Sequence, residues 1–124
     1  QASRIQRICN ALGLWCFNPL WQRDPAAYME ALLASGFEVM ITGVFSPPLD
    51  EAWLGRRIDP STLKELRRLS STHGIALTGE GGEYETFILD GPLFQTRICV
   101  DEAHTEYRYH HGRYYIDAAS LEKP

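Results

Sequence analysis

The stretch Gly74-Ile75-Ala76-Leu77-Thr78-Gly79-Glu80-Gly81-Gly82-Glu83-Tyr84-Glu85-Thr86-Phe87 joins an apolar triplet to a loop of three carboxylates and three glycines, then returns to apolar residues. Like charges this close repel one another, and each ordered glycine costs backbone entropy. A fold tolerates such a loop on a solvated turn, or where backbone and acids must approach a ligand. Phe87-Ile88-Leu89 and Asp90-Gly91-Pro92-Leu93-Phe94 follow, apolar enough to be buried on both sides of a turn. A loop clamped between core segments is held rigid, which a binding site requires.

Upstream, Asp59-Pro60 is a helix-starting pair, with Leu63, Leu66 and Leu69 at helical spacing and Gly74 as the stop. Ile75 to Leu77 then reads as a strand. The same grammar occurs twice earlier. Asp24-Pro25 opens a helix closed by Gly36, and Val39-Met40-Ile41 with Val44-Phe45 follows, apolar on both faces. Ser3 to Leu12 carries Ile5, Ile8 and Leu12 on one stripe, then Gly13 and the apolar Leu14 to Phe17. Helices are predicted at 3–12, 25–35 and 60–73, and strands at 14–17, 39–45 and 75–77. Three such units predict an α/β fold with a parallel-sheet core, its helices packed on the faces. Thr96 to Val100, Glu106 to Tyr109 and Arg113 to Ile116, with a turn at His110-His111-Gly112, add a C-terminal antiparallel β extension. The 124 residues then form a single domain, αβ units over 1–82 and a β-rich tail over 83–124.

Composition excludes several classes. A formal net charge of -4 provides no global attraction for nucleic acid or an anionic membrane, and 44% hydrophobic content suits an ordinary core. The apolar runs are too short to span a bilayer. Cys9, Cys16 and Cys99 are scattered and odd in number, and read as buried free thiols of a cytoplasmic protein. His110 and His111 have no evident third ligand and read as a solvated turn, so no metal site is expected. The chain opens at Gln1, without methionine and inside a helical pattern, as a fragment or trimmed product would.

In a parallel sheet the carboxyl ends of the strands meet at one edge, where ligands bind. That places Trp21, Arg23, Asp50, Trp53 and Arg56 beside the acidic loop. Glu80, Glu83 and Glu85 can hold Mg²⁺, act as acid or base, or receive a cation, and in an extended chain Glu83 and Glu85 share a face. Arg56 can present a bidentate fork to phosphate or carboxylate, or pair with Asp50 or Glu51. Trp21 and Trp53 suit a quaternary ammonium, but residue chemistry alone favours core packing for both.

Pro19-Leu20-Trp21, Trp53-Leu54-Gly55-Arg56, Gly79-Glu80-Gly81-Gly82-Glu83-Tyr84-Glu85-Thr86 and Leu89-Asp90-Gly91-Pro92-Leu93-Phe94, in this order, resemble the C-terminal half of the diphthine–ammonia ligase family, within the PP-loop (N-type) ATP pyrophosphatase superfamily. The resemblance implies an ATP- and Mg²⁺-dependent amidation. The carboxylate of diphthine, a trimethylated modified histidine on translation elongation factor two, is activated as an adenylate and attacked by ammonia. AMP and pyrophosphate leave.

The family's Ser-Gly-Gly-Lys-Asp-Ser phosphate loop occurs nowhere in these residues. The expected role is therefore the substrate side of a cleft whose ATP-binding N-terminal half is absent, with no cofactor bound to this chain alone. Glu80, Glu83 and Glu85 are the expected catalytic groups. Trp21, Trp53, Arg56, Gly81, Gly82, Tyr84 and Thr86 are the expected substrate contacts. The partners implied are the elongation factor, the N-terminal half and a possible second copy. Alternatives are a stand-alone module binding a protein or cationic ligand, an N-type ATP pyrophosphatase domain acting on another substrate, and a Mg²⁺-dependent hydrolase built on the three glutamates.

Overall fold

Both Asp-Pro pairs start helices, as their chemistry requires. In the computed structural model, which describes residues 2–123, Asp24 accepts a hydrogen bond from the Ala27 N–H at 2.8 Å and Asp59 from the Thr62 N–H at 2.7 Å. Each proline then takes a first-turn position that needs no N–H donor. The helices are α1 (Ala2–Ala11), α2 (Pro25–Ala34) and α3 (Pro60–His73), with Gly74 in the left-handed region as the cap of α3. Helix α1 begins one residue ahead of the predicted 3–12, and Gln1 lies outside the described residues.

The strands are β1 (Glu38–Val44), β2 (Tyr84–Asp90), β3 (Arg97–Arg108) and β4 (His111–Glu122), in the order β2-β1-β4-β3. Every pairing is antiparallel, so the predicted parallel-sheet core is wrong. Strand β1 is central and buried on both faces, as its sequence indicated, but its edges are taken by antiparallel neighbours. One edge carries β2. The other is used first by 55–58, where the Gly55 N–H donates to Ile41 O at 2.8 Å and the Ile58 N–H to Val39 O at 2.8 Å, and then by β4 at Gly43 and Val44. No edge is left for a parallel partner.

The two missing strands have physical causes. Ile75 and Leu77 are buried, but the intervening Ala76 N–H donates to the Glu83 carboxylate and the Leu77 carbonyl accepts from the Tyr84 hydroxyl. Their backbone groups are satisfied by the loop that follows and not by a ladder. Leu14 to Phe17 is irregular and exposed, with Trp15 stacked on Phe17 at 5.4 Å. The C-terminal extension forms one long hairpin, with its turn at Tyr109 and His110, both in the left-handed region; His111 and Gly112 already belong to β4. The three cysteines are free and half-buried, not fully buried as expected.

The core lies between one sheet face and α2 and α3, with Ile41, Val44, Leu49 and Leu66 almost fully enclosed. Residues of β3 tie back to the start of β1 through Glu38, which accepts from Arg97 Nε and Nη2, both at 2.6 Å, and meets Arg57 at 3.0 Å. The Arg97 guanidinium holds the Glu38 carboxyl below its ordinary value of 4.5, against the opposing effect of burial. A lowered folded-state pKa contributes stability above the unfolded value and loses it as pH falls through the folded one. The melting-temperature gap between the native chain and Arg97→Gln should therefore narrow as pH is lowered below 4.5. A gap of constant width from pH 7 to pH 3 would remove Glu38 from the acid response.

Candidate functional site

The acidic loop is anchored by its own residues. Glu83 Oε1 accepts from the Ala76 N–H at 3.0 Å, and the Glu83 carbonyl accepts from the Phe45 N–H at 2.9 Å. Tyr84 is buried, its hydroxyl donates to Leu77 O, and burial pushes its phenol above the usual range. Gly79 and Gly82 take positive φ values of 74° and 84°, and Gly81 leaves the space that the Glu83 carboxylate occupies. Glu83 Oε2 is buried with no hydrogen-bond partner among the described residues.

The three glutamates therefore diverge. Glu83 folds beneath the loop as an anchor, while Glu80 and Glu85 remain exposed. Among the described residues no three His, Cys, Asp or Glu side chains are grouped to hold a metal. The glycine-rich loop carries carboxylates, and the only lysines are Lys64 on α3 and Lys123 near the C-terminus. These residues do not fit a triphosphate.

A parallel sheet would gather Trp21, Arg23, Asp50, Trp53 and Arg56 at this loop. The antiparallel sheet does not provide that common edge. Trp53 is buried in the core, and Arg56 lies over its ring at 4.1 Å while bonding Glu65 at 3.0 Å and Thr62 at 3.1 Å. Its fork is already engaged, and with Glu65 instead of Asp50 or Glu51. Asp50 caps the short 3₁₀ turn Glu51–Trp53 by accepting from the Ala52 N–H. Trp21 is exposed in the segment preceding α2, where Arg23 donates to Pro19 O. Thr86 lines a cavity of about 320 Å³ beside Tyr28, Met29, Thr78 and Tyr84.

What the sheet does assemble is a row across its four strands. Glu85 on β2 pairs with Gly43 on β1, Gly43 with Arg113 on β4, and Arg113 with Glu106 on β3. Gly43 permits this convergence: a Cβ there would lie 2.7 Å from the Phe45 ring and 3.2 Å from Glu85 Oε2. Arg113 lies over Phe45 at 5.0 Å and reaches Glu85 at 3.4 Å. Phe45, Glu106, Arg108, His111, Arg113 and Tyr115 line a cavity of about 310 Å³ at the hairpin tip. A cavity of about 850 Å³ beside α2, α3 and the start of β1 is walled by Leu33, Phe37, Val39 and Leu63 and holds none of the expected site residues. The smaller hairpin cavity has the chemistry. Its residues were invisible as a group in sequence, because the pairing of β1 with β4 brings together positions some 70 residues apart. The only local signal was Gly43 breaking the apolar run of β1.

The described residues thus form a mixed α/β domain with an all-antiparallel four-stranded sheet and an acidic loop anchored by its own hydrogen bonds. The family model described as "Diphthamide synthase C-terminal domain" matches residues 24–121, and the chain belongs to that family. It is 38% identical to the diphthine–ammonia ligase of Homo sapiens over 104 residues, which cover 83% of this chain and 39% of the relative. For the Danio rerio ligase the figures are 37% over 106 residues, covering 85% and 41%. For Schizosaccharomyces pombe they are 33% over 102 residues, covering 82% and 17%. The chain thus spans about two-fifths of the vertebrate relatives it matches, within their C-terminal part. Among the described residues no helix is long and apolar enough to cross a membrane.

Proposed function

We propose that this chain is the substrate-recognising part of an ATP-dependent carboxylate–amine ligase that amidates diphthine on translation elongation factor two. ATP and Mg²⁺ belong, in this reading, to the remaining part of the ligase. The supporting observation is the anchored loop inside the family match, which leaves Glu80 and Glu85 exposed while Glu83 is used up in holding it. Two solvated carboxylates, Glu80 on the anchored loop and Glu85 at the start of β2, suit the quaternary ammonium head of the substrate, which has no N–H to donate and offers its positive charge and methyl groups instead. Ile5, Ile8, Leu12, Trp15, Phe17 and Trp21 are exposed and precede the matched residues. They offer an apolar surface for the rest of the ligase.

The test is made in the full-length ligase. Glu80→Gln and Glu85→Gln should each lower amide formation by roughly 10-fold, a loss of about 1.4 kcal/mol, with ATP affinity within about twofold of native. ATP affinity falling in step with activity would move the carboxylates to the nucleotide. Full activity in both variants would reduce the loop to an ordinary acidic turn.

A further inference from the structure

The row that contains Glu85 also contains a cation, and the pair is poorly committed to itself. Glu85 and Arg113 sit on β2 and β4 with only Gly43 between them. Their closest approach is 3.4 Å, and their side chains are 58% and 54% exposed. Such a pair contributes little and exchanges readily for better partners. Arg108 has no carboxylate within 4.0 Å among the described residues; its guanidinium lies over Tyr109 at 4.9 Å. Two guanidinium groups thus border a cavity that holds a single carboxylate, Glu106, with Phe45 and Tyr115 as aromatic walls. A volume of about 310 Å³ admits one small head group.

Arg113 lines this aromatic cavity and Glu85 stands next to Arg113, outside the lining; an adjacent acid and base are the complement of a zwitterion. We propose that the hairpin-tip cavity is a carboxylate subsite, in which Arg113, assisted by Arg108, receives the carboxylate of a ligand whose quaternary ammonium lies at Glu85. The proposal rests on the function proposed above and adds residues that the acidic motif does not contain. Arginine is suited to this role because its planar fork matches a carboxylate and it stays charged at any working pH. Phe45 carries the Arg113 guanidinium over its ring at 5.0 Å and forms an aromatic wall of the cavity. The carboxylate is held and oriented there, so Arg113 discriminates substrate and performs no proton transfer. The extent of the site also limits its ligand. Beyond Tyr115 the same face turns to the His104–Asp117 pair, bonded at 2.6 Å, so the cationic patch is too short to track a polynucleotide.

The experiment follows backbone and arginine side-chain NMR signals of this chain during titration with glycine betaine, which carries both groups, with choline, which carries the cation alone, and with propionate, which carries the anion alone. Betaine should bind at least about fivefold more tightly than either. It should shift the signals of Phe45, Glu85 and Arg113 together. Arg113→Gln should remove the advantage of betaine over choline, and Arg113→Lys should restore only part of it. Betaine binding no tighter than choline, or untouched by Arg113→Gln, overturns the subsite. If choline still shifts Glu80 and Glu85 in that case, the ammonium reading of the loop survives by itself. If choline binding is indifferent to Glu80→Gln and Glu85→Gln, the earlier reading fails and the subsite falls with it.

Discussion

Gly79→Val should lower the melting temperature of this chain by roughly 10 °C and the amide formation of a full-length ligase by more than about tenfold. Two costs coincide at this position. Gly79 has a φ of +74°, a region that a β-branched residue enters at a cost of about 1–3 kcal/mol. A Cβ there would also lie 2.8 Å from the backbone carbonyl oxygen of Tyr84, which cannot rotate away as a side chain can. Relief of that contact moves the junction at which the loop enters β2 and, with it, Glu80 and Glu85. Gly82 provides the control. Its φ is +84°, but nothing lies within 4 Å of an added Cβ. Gly82→Ala should therefore cost only the backbone strain, about 1 kcal/mol, and a few degrees. Equal melting temperatures for Gly79→Val and the native chain, with full activity in the ligase, would show that the loop has no fixed conformation to lose.

Leu66→Ala should have a still larger effect on stability, about 2–5 kcal/mol, with a fall of roughly 10–20 °C. Leu66 is 0% exposed on the inner face of α3, within the cluster that includes Ile41, Val44 and Leu63. Truncation leaves a cavity in a wall held by strand β1 and by a 14-residue helix, neither of which collapses easily. Leu66 lies on α3, outside the acidic loop. At a temperature where the variant remains folded, ligase activity should stay near native. The two variants thus separate stability from site geometry: Gly79→Val damages both, and Leu66→Ala only the first. Loss of activity in folded Leu66→Ala would mean that the core positions the loop more closely than its hydrogen bonds indicate.

Local chemistry was legible in the sequence, and pairing was not. Asp24, Asp59, Pro25, Pro60 and Gly74 act through neighbours within four residues, so helices α2 and α3 stand where they were predicted. The run from Val39 to Val44 correctly indicated a strand covered on both faces. It did not carry the direction of its neighbours, because burial on both faces is equally served by β2, β4 and the extended 55–58 segment. The triplet Ile75 to Leu77 had the composition of a strand, but Glu83 and Tyr84 satisfy the backbone groups a ladder would have used. Leu14 to Phe17 had the composition of a core strand and is exposed.

The site divided along the same line. Its acidic motif is contiguous and could be read directly. The different duties of Glu83 and Glu85 could not, because they depend on the Ala76 N–H and on Arg113. Arg56 looked available in sequence and is occupied by Glu65, Thr62 and Trp53; Arg113 was passed over and stands in the row with Glu85.

The measurement closest to the central claim is calorimetric titration of a full-length ligase, native and carrying Glu80→Gln with Glu85→Gln, against Mg·ATP and separately against the diphthine-bearing elongation factor. The account predicts native affinity for Mg·ATP and at least about a tenfold loss of affinity for the protein substrate in the double variant. Unchanged binding of the elongation factor, with weakened binding of Mg·ATP, would contradict it and place this loop on the nucleotide side of the reaction.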